Sequence, residues 1–182
     1  MRVFAIFCCC VVVDTSVEIN MSLRHMNNTL LSDYELLWEV GFVGAVYLLA
    51  TDRRKIQATI VLMVLLYTSV WVVDQAFYYV QGRLNGEMAF LSRAIIIVMS
   101  VLAVHTVART TTVSLIDEPI FWVSTANIIY ATGALFIYGF MNDLLAMGRS
   151  YFEAAWNLNW WLAILANLMF MKGFMCKTAR PQ

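Results

Sequence analysis

Five apolar runs dominate this 182-residue chain, at residues 36–50, 56–73, 88–108, 120–141 and 151–171. Crossing the hydrocarbon core of a bilayer takes about 20 residues of apolar helix, and four of the runs reach or approach that length. The connections between them run to about 6–15 residues, too short to fold as a separate domain. A transmembrane β-strand would alternate apolar and polar side chains, whereas residues 60–66 (IVLMVLL) are continuously apolar. The pattern predicts an all-α fold: a polytopic integral membrane helical bundle with five transmembrane helices, at about 34–51, 56–78, 88–108, 120–141 and 151–171.

The chain is 62% hydrophobic, against roughly 45–50% for soluble domains, and the excess sits in the long runs. Formal net charge is zero, and no basic stripe is present to hold phosphates, so nucleic acid is not an expected partner. The expected partners are the lipid bilayer and, within it, other membrane subunits or further copies of the chain. No internal repeat supports an inverted-repeat transporter.

Three segments follow: a leader at 1–33, a single transmembrane domain at 34–172 and a basic tail at 173–182. Within the leader, residues 3–13 (VFAIFCCCVVV) are apolar but span only about 16 Å of helix. Their length suits the core of a signal peptide, yet no small-x-small cleavage site follows. Three readings stay open: a signal-like stretch, a start at Met21, or a crossing with flanking residues that makes six spans. The first full run is short and contains Glu39, but it has Tyr34, Trp38 and Tyr47 near its ends and a firm basic stop at Arg53, Arg54 and Lys55.

Lysine and arginine in short loops set orientation. Arg53, Arg54, Lys55, Arg109, Lys172, Lys177 and Arg180 fall on one side by alternation, and Arg2, Arg24, Arg83 and Arg149 on the other. The heavier set belongs in the cytoplasm. The expected arrangement is amino terminus outside and carboxyl terminus inside, with a bacterial plasma membrane suggested by the small size and compact loops.

With that topology, Glu39, Asp74, Arg93, Glu153 and Asn157 all fall in the outer third of the bilayer, and His105, Asn127 and Asn167 in the inner half. An arginine within a span costs roughly 2.5–3.5 kcal/mol at helix centre, so Arg93 needs a carboxylate or must snorkel. The short link between spans two and three favours Asp74 as its partner, with Glu39 second. Glu39, Asp74, Arg93, Glu153 and Asn157 together form the candidate intramembrane polar site. In the fifth run, Glu153, Asn157, Trp160, Ile164, Asn167 and Met171 recur at spacings of 4, 3, 4, 3 and 4. They share one helix face, which is expected to turn toward the bundle because amides in lipid lack partners. Trp71, Trp160 and Trp161 lie deeper than an interfacial belt requires and are expected to pack rather than line a pocket. Gly41 and Ala45, and Gly133 with Ala131 and Ala134, offer surfaces for close helix contact.

No catalytic motif is present. With two histidines, His25 and His105, and only one in a run, a bis-histidine haem has no ligand set. H-E-x-x-H, G-x-S-x-G and Walker A sequences are absent, and Cys8, Cys9, Cys10 and Cys176 lack zinc spacing. No cofactor or metal is expected. The function expected is that of a non-enzymatic accessory, assembly or sensor-type membrane component. The alternative is a small ion- or proton-coupled transporter or channel around Arg93 and Asp74.

Overall fold

Each of the five apolar runs forms a helix in the computed structural model, which describes residues 13, 16, 17, 20, 29–78, 85–111 and 114–176. The rest of the leader, with its apolar stretch, Arg2 and Arg24, lies outside the described residues, as do Arg83, Lys177 and Arg180. The elements are α1 (Thr29–Ala50), α2 (Arg54–Phe77), α3 (Gly86–Thr110), a 3-10 turn (Leu115–Asp117), α4 (Pro119–Gly139), α5 (Met141–Met147) and α6 (Arg149–Met175). No strand occurs among the described residues.

Three of these helices, α2, α3 and α4, are long and apolar enough to cross a membrane, where the sequence predicts five. The other two do not fall short in length, at 22 residues for α1 and 27 for α6. They fall short in apolarity. Asp33, Glu35 and Glu39 interrupt α1, and Arg149, Glu153, Asn157, Asn159, Asn167 and Lys172 interrupt α6.

Local chemistry sets the helix ends. Asn85 precedes α3 and its side chain accepts a hydrogen bond from the Met88 amide (3.2 Å), which satisfies one of the orphan donors of the first turn. Glu87 in that turn and Arg109 in the last turn both suit the helix dipole. Pro119 opens α4, where its missing N–H costs nothing. The short helix α5 stands where a loop is expected. It is separated from α6 by Gly148, whose φ of 121° is one that side chains with a Cβ rarely adopt.

Helix α3 is the hub: it packs on α1, α2 and α4, while α6 packs chiefly on α4 and α5. Contacts between α1 and α2 run in opposite senses, with Trp71 Nε1 donating to the Asp33 carbonyl (3.1 Å) at one end and Gln57 Nε2 to the Thr51 carbonyl (2.7 Å) at the other. Helices α4 and α6 are likewise antiparallel: Leu162 meets Gly133 mid-helix, and Gly173 meets Pro119 at the far end. The core is built from Val40, Val43, Tyr67, Ile96, Met99 and their neighbours, with Ala126, Ala131 and Ala134 buried along α4.

Apolar side chains cover the outside of α2, and several polar ones lie inside the bundle. Leu62, Leu65, Leu66, Val72 and Val73 of α2 are exposed, while Ser92, Arg93, Ser100, Ser124 and Asn127 are buried. Only 17% of the apolar stretch of α2 is buried, against 50% in α3, so α2 is a peripheral helix with an apolar outer face. Soluble monomers rarely expose contiguous apolar patches of that kind. Several serine and threonine hydroxyls in the helices donate back to their own backbone, as Ser69 does to Leu65 (2.8 Å) and Thr106 to Leu102 (2.7 Å), which satisfies the proton on those side chains.

Close helix contact falls partly where expected. Gly41 has nothing within 4 Å of a notional Cβ, so it is not a contact point; Gly44, three residues on, faces Val64 and Ile60 of α2. The difference is one of helix phase, since the inward face of α1 carries Leu36, Val40, Val43 and Tyr47. Gly133 is a contact point, because a Cβ there would lie 2.0 Å from Leu162 Cδ1. Gly133→Ala should therefore lower the thermal unfolding midpoint in detergent. The double variant G133A/L162A should be less destabilised than the sum of the single changes, by about 1 kcal/mol. Strict additivity would show that α4 and α6 do not interlock there.

Candidate functional site

The polar side chains inside the bundle form two levels, and each joins α1, α3 and α4. At the first, Arg93 Nη1 of α3 donates to Glu39 Oε1 of α1 in an ion pair, with the two side chains only 6% and 16% exposed. The guanidinium lies over the ring of Tyr130 on α4, 5.2 Å from its centroid, close enough for a cation–π attraction. Arg93 Nε, Glu39 Oε2 and Tyr67 Oη are buried without a hydrogen-bond partner.

At the second level, Asn127 Nδ2 of α4 donates to Tyr47 Oη of α1 (2.9 Å). Tyr47 Oη lies 2.8 Å from Ser100 Oγ of α3, and Ser100 Oγ donates to the Ile96 carbonyl (2.7 Å). A serine hydroxyl has one proton, so Tyr47 must donate to Ser100. The result is a directed chain from Asn127 through Tyr47 and Ser100 to the backbone of α3. Between the levels the contact residue advances by eight positions on α1 and seven on α3, about 12 and 10 Å, and falls back from Tyr130 to Asn127 on α4. Helices α1 and α3 are therefore parallel and α4 runs against them.

The five candidate residues do not meet in one place. Glu39 and Arg93 pair. Asp74, expected as the first partner of Arg93, instead accepts a hydrogen bond from Asn85 Nδ2. Asn85 is level with the end of α2, whereas Arg93 lies eight residues, about 12 Å, farther along α3; Asp74 is out of reach and Glu39 is at the right depth. Glu153 bonds Arg149 one turn away (2.7 Å) on an exposed surface, and Asn157 is exposed.

The α6 stripe is turned the other way from expectation. Glu153, Asn157, Trp160, Ile164, Asn167 and Met171 are all exposed, and the buried positions of α6 are Ala166 and Gly173 on the opposite face. The small residues win the contact with α4 because they allow close approach. Trp71 packs internally, against Tyr34 (ring centroids 5.1 Å apart), whereas Trp160 and Trp161 are 55% and 69% exposed.

The sequence does not reveal the second level in one respect: Tyr47 looks like an interfacial aromatic there. The available signal was Asn127, an amide in an apolar run that needs a partner. Among the described residues, no three metal-ligating side chains come together. Compared with family models, curated proteins and solved structures, the chain matches none.

Removing one member of a buried ion pair costs about 3–5 kcal/mol, while replacing both by apolar groups is often neutral. Arg93→Leu and Glu39→Leu should each strongly reduce thermal stability, and the double variant should recover most of the loss. Tyr47→Phe should cost about 1–3 kcal/mol because it strands the Asn127 amide, while Ser100 keeps its bond to the Ile96 carbonyl. Chemical or thermal unfolding in detergent checks both; equal stability of R93L and the double variant would rule out the pairing.

Proposed function

We propose that this protein is a five-span integral membrane bundle that acts as a non-enzymatic accessory, assembly or sensor-type component. The observation that carries this reading is the commitment of the internal polar groups to one another. Arg93 is held by Glu39 and Tyr130, and Tyr47 by Ser100 and Asn127. Both sets act across α1, α3 and α4, so their chemistry is that of ties between helices. The apolar outer face of α2 supports lipid as the surrounding solvent.

The alternating helix directions support five crossings, with α1 and α6 included as less apolar spans whose charges lie near an end or are paired. Arg53, Arg54, Lys55, Arg109 and Lys172 then share the cytoplasmic end, in a bacterial plasma membrane, with the amino terminus outside. A reporter fused after Gln182 should be active only in the cytoplasm, and one inserted in the 79–84 connection only outside. The reverse result would overturn the orientation.

As an accessory component, the protein purified in mild detergent should bring down a membrane subunit of different sequence at fixed stoichiometry; recovery of this chain alone would count against it. A second reading, a small ion- or proton-coupled transporter, is favoured by the unpartnered Arg93 Nε, Glu39 Oε2 and Tyr67 Oη atoms at the outer level. It requires ion flux by the native protein in proteoliposomes and its loss in Arg93→Lys, which keeps the charge but not the planar fork.

A further inference from the structure

The outward stripe of α6 poses a problem that the single chain does not solve. Asn157 and Asn167 are exposed, and neither side chain has a hydrogen-bond partner among the described residues. Facing lipid tails, a carboxamide has no partner at all. The spacing of the stripe is that of a coiled-coil seam, with Asn157, Ile164 and Met171 at one repeating position and Glu153, Trp160 and Asn167 at the other.

We infer that α6 is a dimerisation helix, pairing in parallel with α6 of a second copy of this chain. Hydrogen-bond complementarity favours that occupant. A carboxamide both donates and accepts, so it is its own complement across a two-fold axis. Two copies inserted with the same orientation bring their α6 helices together in parallel and at equal depth. Asn157 then meets Asn157, and Asn167 meets Asn167, without further adjustment. A different helix would have to present two amides about 15 Å apart in matching register. Glu153 at the outer end does not oppose the pairing by like charge, because each copy neutralises it with its own Arg149 at 2.7 Å. Since α6 packs on its own bundle through Ala166 and Gly173, the seam is open in the folded protomer. The inference rests on the membrane reading above, and not on the choice between accessory component and transporter.

Single cysteines placed in a background with Cys8, Cys9, Cys10 and Cys176 changed to serine test the seam in native membranes. Oxidation should yield disulfide dimers for Asn157→Cys, Ile164→Cys and Asn167→Cys. Leu158→Cys and Leu165→Cys, exposed on α6 but off the seam, should stay monomeric. Equal yields at seam and control positions, no dimers at any position, or linkage to a different protein would overturn the inference. As an independent measure, N157L/N167L alters only exposed side chains. In mild detergent it should keep its helix content and thermal midpoint while its dimer dissociates about tenfold more readily; unchanged dimerisation would overturn the role of the amides. Alkaline carbonate extraction separates the two levels of the argument. Retention in the membrane as a monomer defeats the dimer alone, whereas release into solution defeats the membrane reading itself.

Discussion

The pairing of Arg93 with Glu39 is the constraint on which the arrangement of the bundle turns. Neither charge is tolerable alone at that burial: an isolated ion in a low-dielectric interior loses several kcal/mol of hydration. Together, with the Tyr130 ring beneath the guanidinium, they fix which face of α1 meets α3 and at what height. Because the contact is directional, it does more than apolar packing could. Leucine and valine surfaces slide and rotate at small cost, while a carboxylate and a guanidinium fork must face each other.

The second level removes the freedom that one point of attachment leaves. A single ion pair permits α1 to pivot about it. The Tyr47–Ser100–Asn127 chain, about 10 Å along α3, holds the same three helices again. Two anchor levels on each of three helices define both tilt and rotation. Helices α2 and α6 reach these networks only at their edges, through Tyr67 and through Asn159 beside Tyr130, and they are the helices with the broadest exposed apolar arcs. The bundle is thus a tied triplet of α1, α3 and α4, with α2 and α6 packed on its flanks.

Much of this was legible in the sequence, and the failures have identifiable causes. Run length and continuity located all five long helices, because apolar content over about 20 residues is a local property. Arg93 stands out in the sequence as a residue in need of a partner. Proximity in sequence favours Asp74, while position along α3 decides the matter and favours Glu39. The periodicity of α6 identified a face but assigned it the wrong direction. The rule that amides turn inward weighs only hydrogen bonding, whereas Gly173 on the opposite face allows α6 to approach Pro119 and Val123 of α4 closely. The Gly133–Leu162 contact was half visible: the glycine announces a close approach, but the leucine that fills it looks like any other. The short helix α5 was hidden because its seven residues carry no period long enough to read.

The charge that most weakened α1 as a membrane span in the sequence is the one that secures its place in the structure. Glu39 lowers the apolarity of α1 when the helix is considered alone, and Arg93 burdens α3 in the same way. Each penalty applies only until the two helices meet, after which the charges neutralise one another. Helix α1 therefore depends on α3 in a way that α2, which carries no charged residue between Lys55 and Asp74, does not. The composition of either helix taken alone does not reflect this dependence, because the compensating group lies 54 residues away. The stability of α1 within the bundle is a property of the pair, and it accounts for a helix of sufficient length and insufficient apolarity standing parallel to α3 at the centre of the fold.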